Sequence, residues 1–331
     1  MGIGFHVIDG DGRLIGDEAL DEADGELEEL LDRYSEGNLS PAQYVGDLKA
    51  IVARHPDFID GHLHLGQALA EAGRTGPALS AFMRAIAVGE AAMPSDFAGP
   101  LPWQDYRNRP FLRALHEAAL TELQRKKRRS AIRLMERMMA LDPDDGRGIR
   151  FLLGSQYLRV REPVKARFLL EAWADRYPPC AYDLGLLYFR ENRFRDAATQ
   201  LRRAFVANLY IAEMLCGHPD PKPLAIWHGS NFAEREVARH YVEDGAKLWS
   251  DTCDGLAFLH WLYHHPRVMA ERAGILDCCE RLNWEFDFQA RSDILNHQEK
   301  LLGAMDDTLS DEIITRRSTR DERTVYPWWQ L

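Results

Sequence analysis

The chain is poor in the features that mark most specialised protein classes. It has five cysteines in 331 residues, few and odd in number, which suits a reducing cytoplasm better than a disulfide scaffold. No apolar run reaches about 18 residues, so no transmembrane helix is expected. The opening MGIGFHVIDGDG lacks a basic start and a long apolar stretch, so no secretory leader is expected either. Positive charge is not in excess: 52 Asp and Glu outnumber 41 Lys and Arg, for a formal net charge of −11. That argues against a nucleic-acid coater or a polybasic membrane binder. The chain has no G-x-x-x-x-G-K-[ST] phosphate loop and no recognisable Ser or Cys nucleophile motif, and His116-Glu117 lacks the second His of a zinc protease helix. No coherent catalytic set remains, and no cofactor is implied.

What is present suits a large core: 46% of residues are hydrophobic and 28% charged, which excludes wholesale disorder. The length fits two or three modest domains or one elongated array. The acidic excess is confined to one end. Residues 1–60 hold 15 acidic and 4 basic residues, leaving 37 of each in the remainder. Residues 107–133 carry the opposite bias, with nine Arg and Lys against Glu117 and Glu122. These are solvated helix faces or a polarised surface able to steer a charged partner. Arg125-Lys126-Lys127-Arg128-Arg129 also has the look of a nuclear-localisation or nucleic-acid patch. It falls in an interhelical turn without interleaved aromatics for base stacking, which argues against nucleic acid.

Self-similarity is the most informative feature. From Gly66, preceded by Leu65, the third residue on is Leu69, the seventh Gly73, the twelfth Ala78, the sixteenth Phe82 and the nineteenth Ala85. From Leu184-Gly185 the same steps reach Tyr188, Ala197, Leu201 and Ala204; from Leu153-Gly154 they reach Tyr157, Ala166, Leu170 and Trp173, with Pro178 beyond. A weaker copy at Ala118-Ala119 continues with Ala131, Met135, Met138 and Pro143. The spacing predicts pairs of short amphipathic helices. Small residues sit where the two helices cross, large ones fill the gap to the next pair, and Pro143 and Pro178 close the second helix. One pair cannot bury its apolar face alone, so pairs stack into a solenoid.

This pattern resembles the tetratricopeptide-repeat superfamily over about residues 58–210. Asn108-Arg109-Pro110-Phe111-Leu112-Arg113 and Asp142-Pro143-Asp144-Asp145-Gly146-Arg147-Gly148-Ile149-Arg150 show a looser resemblance to a repeat subfamily that includes the suppressor-of-tumorigenicity-7 proteins. The expected fold is all-α, a tetratricopeptide-type solenoid of four to five helix pairs. Residues 1–22 form an N-terminal hairpin and acidic segment, 23–210 the repeats, with a proline-rich inserted loop at 89–110, and 211–331 a helical cap and tail. At the start of the repeat region a degenerate pair is expected around Leu31 and Tyr44, Leu48 and Ile51. The cap reads as helices near Phe232–Trp249, Gly255–His264, Val268–Leu282 and Phe288–Met305, with a Trp328-Trp329 tail that docks on its own chain or on a partner.

Three lookalikes converge on Phe5-His6-Val7-Ile8-Asp9-Gly10-Asp11-Gly12. Asp9 and Asp11 resemble a haloacid-dehalogenase-type phosphatase start, but that fold needs several more parallel strands. An EF-hand loop would put Val7 at its first ligand position, and a phosphate loop would place Asp11 against the anion. A β-hairpin pairing Phe5–Asp9 with Arg13–Ile15 accounts for the segment with fewer demands. Near the other end, His260 and His264 share a helix face, and Cys253, Cys278 and Cys279 are close in sequence. No C-x₂-C spacing supports zinc there, so core thiols and helix-end histidines are the expectation.

In a solenoid of the type resembled, the first helix of each pair lines the concave face. The resemblance implies groove positions that include Asp60, Leu63, Gln67, Ala70 and Glu71 in the first pair. Leu63, Gln67 and Glu71 stand where chaperone-binding members carry a Lys and Asn carboxylate clamp, so that function is not carried over. The expected partner-binding set is Arg113, His116, Leu120, Arg150, Phe151, Leu158, Arg159, Tyr182, Leu186, Phe189 and Arg190. Such a face suits a protein or peptide with apolar anchors and acidic groups, unless the inserted loop or the tail fills it. The expected function is a non-enzymatic, cytoplasmic adaptor or regulator. One alternative is an immunity-type inhibitor that covers a basic enzyme with its acidic N-terminal region. Another is a C-terminal block holding a metal or catalytic site.

Overall fold

The computed structural model of the protein describes residues 2–318 and 324–330, and the chain divides into two compact units, Met1–Leu153 and Gly154–Leu331. In the first, a β-hairpin of β1 (Gly4–Ile8) and β2 (Asp11–Ile15) leads into α1 (Glu18–Ser35), α2 (Pro41–Arg54), α3 (Ile59–Glu71), α4 (Thr75–Ala92), α5 (Arg109–Gln124) and α6 (Arg128–Leu141). Helix α7 (Arg150–Arg159) spans the division. The second unit continues with α8 (Pro163–Trp173), α9 (Pro178–Arg190), α10 (Phe194–Ala207), α11 (Ile211–Leu215), α12 (Arg235–Ser250), α13 (Gly255–Tyr263), α14 (Pro266–Trp284), α15 (Phe288–Gly303) and α16 (Asp307–Ile313). Two short strands, β3 (Arg317–Ser318) and β4 (Thr324–Val325), and a 3-10 turn, Pro327–Gln330, complete it. The fold class is all-α, of the helix-pair solenoid type, with a C-terminal helical cap and a short N-terminal hairpin.

The pairs share one turn. The residue seven places after each crossing position has a positive φ: Gly73 (72°), Lys126 (61°), Arg161 (62°) and Asn192 (60°). The next amide reaches back five residues each time, Arg74 N to Leu69 O and Lys127 N to Glu122 O at 2.8 Å, Glu162 N to Tyr157 O and Arg193 N to Tyr188 O at 2.9 Å. This left-handed residue with a six-to-one hydrogen bond satisfies the last carbonyls of the first helix and reverses the chain. Gly37 (φ 77°) with Asn38 N to Arg33 O at 3.0 Å repeats it between α1 and α2. The weak Ala118-Ala119 copy and the degenerate first pair are therefore built like the others.

The crossing position needs a small residue for a measurable reason. A Cβ on Gly66 would lie 2.3 Å from the Phe82 ring, and one on Gly185 or Gly154 would press on Leu201 or Leu170. The large residue sixteen places on thus fills the space that the missing side chain leaves. Pro178 acts differently from its expected role. Helix α8 has already ended at Trp173, and Pro178 opens α9, where its missing amide removes nothing from the ladder.

The N-terminal hairpin pairs Phe5 with Leu14 and Val7 with Gly12 across a two-residue turn. Asp9 (φ 54°) and Gly10 (φ 91°) both take the left-handed conformation that such a turn requires. Two strands alone are marginal, and the segment between α4 and α5 supplies the missing support. Gly12 N donates to Pro100 O at 2.8 Å, and Phe5 meets Phe97 edge-on at 4.7 Å. The buried Asn108 accepts from Leu14 N at 3.2 Å and donates to Gly12 O at 3.0 Å. The Pro-rich segment is thus the seat of the hairpin.

Candidate functional site

In the first unit α3 packs between α1 and α5, so the first helices of consecutive pairs lie side by side in one layer. A row of charged side chains crosses it. On α3, His64 Nε2 lies 3.7 Å from Asp60 Oδ1, one turn apart. Burial pushes the Asp60 carboxyl above its usual range, opposed by His64 and Arg113, and pushes the His64 imidazole down, opposed by Asp60. Asp24 on α1 is raised by burial and by its neighbours Asp60 and Asp21. On α5, His116 Nδ1 accepts from Arg147 Nη2 at 3.2 Å and lies 3.6 Å from Glu117 Oε1. This contact with His116, aided by Arg147 and Arg113, holds Glu117 below the usual carboxylate range. The Arg147 guanidinium also stands 5.4 Å from the Trp103 ring, with that of Arg109 at 5.5 Å. The row runs from acidic at α1 to basic at α5. Beside it, Gln67, Ala70, Leu120 and Leu123 are half-buried, and Glu71 and Gln124 are exposed.

Sequence reasoning placed Arg113, His116 and Leu120 on this face, and all three are half-buried on α5. It missed His64 and Asp24 and gave Glu117 no part; the four-residue step from Asp60 to His64 on one helix was the available signal. Arg150 has a structural partner: its Nε donates to the buried Asp145 at 2.7 Å, and Asp145 also accepts from Ile149 N and Arg150 N at the start of α7. Phe151 lies half-buried near Gly148.

The corresponding face of the second unit is covered by the chain itself. Tyr182, Leu186 and Phe189 on α9, and Leu158, are buried. The Tyr182 hydroxyl donates to Asn208 O and accepts from Ala212 N, both at 3.2 Å. Phe189 stacks on Phe258 of α13 at 4.7 Å and meets Trp328 at 6.2 Å. The two arginines expected at the rim bind the cap: Arg159 donates to Asp244 O, and Arg190 donates to Thr252 Oγ1 at 2.9 Å, Leu248 O at 3.0 Å and Leu158 O at 3.2 Å. Trp328 is buried among Phe258, Trp261 and Tyr326, whereas Trp329 is half exposed and donates to Asp254 at 3.1 Å. Rings of α12 and α13 supply the apolar contacts, Tyr241 to Tyr182 and Phe258 to Phe189, and the backbone carbonyls at Asp244 and Leu248 receive the guanidiniums.

Beneath this cover lies a polar chain that sequence reasoning missed. Trp249 Nε1 donates to the Tyr241 hydroxyl, which donates to Asp183 Oδ1, each at 2.9 Å and all buried. Burial raises the Asp183 carboxyl to about 6, against the opposing effects of Tyr241, Arg159 and Arg190. The His260 and His264 rings lie tilted with centroids 4.3 Å apart, Cys253 is exposed, Cys278 is buried, and Cys279 Sγ accepts from Gln298 at 3.2 Å. Among the described residues no group of three or more His, Cys, Asp or Glu could hold a metal ion, and no helix is long and apolar enough to cross a membrane.

No protein-family model matches the chain, and no curated protein matches it. Among solved structures it is similar to a crystal structure of the P58(IPK) TPR domain, at 13% identity over 87% of this chain and 85% of that one, with a TM-score of 0.28.

Proposed function

We propose that the protein is a non-enzymatic adaptor or regulator that holds a segment of a partner protein on the inward face of its first unit. The observation that carries this reading is the contrast between the two faces. Tyr182 and Phe189 are buried against rings of the chain's own cap, while Arg113, His116 and Leu120 remain partly open beside a graded row of charge. A segment with an apolar anchor over Leu120 and Leu123 and an acidic group toward Arg113 and Arg147 complements that row. The alternation of helix pairs, and the resemblance of about residues 58–210 to tetratricopeptide repeats, support protein binding as the class of work. The low cysteine count supports a cytoplasmic setting.

The test is affinity capture with mass spectrometry, comparing wild type with Arg113→Ala/His116→Ala/Leu120→Ala. The expected result is loss of one or more specific partners at least tenfold beyond background, with the circular dichroism spectrum unchanged. Undiminished capture by this variant would remove the face from consideration. If capture instead fails on neutralising the exposed Glu22, Glu28, Glu29 and Asp32 of α1, the immunity-type reading, with the acidic helix as the contact, takes its place.

A further inference from the structure

The turn between α5 and α6 and the start of α6 carry Arg125, Lys126, Lys127, Arg128 and Arg129 in succession, with Arg133 about one helical turn further on. With Glu122 and Ser130 they line a shallow concavity of about 490 Å³. Glu122 is the one carboxylate on its wall, and it holds Arg125 at 3.2 Å. Lys126, Lys127, Arg128, Arg129 and Arg133 have no carboxylate partner among the described residues, although Arg133 reaches Ser130 Oγ at 3.4 Å. The Nε of Arg128 is buried without a hydrogen-bond acceptor.

The two helices divide these charges. Arg125 and Lys126 follow the C-terminus of α5, where cations are stabilising. Lys127, Arg128 and Arg129 stand at the cap and first turn of α6, where the same sign is unfavourable and an acidic residue is favoured. Helix α1 shows that favoured arrangement, with Asp17 capping and Glu18 and Asp21 in the first turn. Packing does not require the cations, since α6 is anchored by Ala131, Ile132, Met135 and Met138. The site therefore concentrates positive charge against both mutual repulsion and the helix dipole, and a bound anion relieves both.

We infer that this concavity binds a compact oligophosphate, an anion with two or more phosphate groups close together. One phosphate neutralises too little of the five unpaired cations. The guanidinium forks of Arg128 and Arg129 match phosphate oxygens, and the lysines add mobile point charges. The cations of α6 span only about 7.5 Å along its axis, and no aromatic ring lines the wall for base stacking, so the site fits a short phosphate chain better than a nucleic-acid strand.

The test is isothermal calorimetry on the full chain with inorganic tripolyphosphate, orthophosphate and a short DNA duplex. Tripolyphosphate is expected to bind with one-to-one stoichiometry and at least tenfold more tightly than orthophosphate. Lys127→Gln/Arg128→Gln/Arg129→Gln weakens it tenfold or more, while Arg281→Gln/Lys300→Gln, which removes two exposed cations elsewhere, leaves it unchanged. Absence of saturable binding to the wild type, equal affinity in the two variants, or tighter binding of the duplex than of tripolyphosphate would overturn the assignment.

Discussion

Asp183 is a carboxylic acid in surroundings that its type rarely occupies. It lies on a buried helix face, its carboxylate held by one tyrosine hydroxyl, with Arg159 and Arg190 nearby but engaged with backbone carbonyls of the cap. Its folded-state value, about 6, stands above the ordinary 3.8. Between these values the folded chain binds a proton that the unfolded chain has released, so this group's contribution to stability falls as pH rises through that window and is flat above it. Asp183→Asn keeps the acceptor for Tyr241 and removes the titration. Urea unfolding from pH 4 to 7 should show the variant gaining on the wild type by on the order of 3 kcal/mol across the window. A difference that stays constant with pH would mean that the carboxyl ionises normally. The sequence around Asp183 gave no hint of this, because its burial is imposed by Tyr241 and Trp249, 58 and more positions further on. The small residues at the helix crossings were legible for the opposite reason: their spacing is set within one pair.

At the scale of elements, α12 to α15 were foreseeable because their apolar periodicity runs over nine or more residues. The five-residue α11 and seven-residue α16 are too short to show a period. The tail illustrates the division again. Its tryptophans announced that it would dock, but the choice between Trp328 and Trp329 is made by the slot between Phe189, Phe258 and Trp261. Trp328→Ala should lower unfolding stability by about 3–5 kcal/mol, the range for emptying a buried aromatic site. Trp329→Ala, half exposed, should lower it by about 1 kcal/mol or less. Equal effects in thermal melts would contradict the assigned packing. Of the candidate binding face, the α5 positions were legible from the repeat frame. The closure of the α9 positions was not, since no local pattern at Tyr182, Leu186 or Phe189 distinguishes a floor awaiting a partner from one already roofed by later residues.

For the whole molecule, the division into two units has a spectroscopic signature. Trp103 alone of the eight tryptophans belongs to the first unit. Tryptophan fluorescence therefore follows the second unit almost exclusively, whereas far-ultraviolet circular dichroism follows the helices of both. For two compact units, denaturant midpoints from the two probes are expected to differ; coincident transitions would indicate a single cooperative unit. The hairpin adds an order of events within the first unit. Its seat, Asn108, is 94 residues beyond the Leu14 amide that it holds. At a synthesis rate of about 5–20 residues per second, the nascent chain carries the two strands unseated for roughly 5–20 seconds, their outer edges open to any neighbouring strand. Crowded translation is thus most exposed to mispairing over this interval, before the asparagine emerges to clamp the ribbon shut.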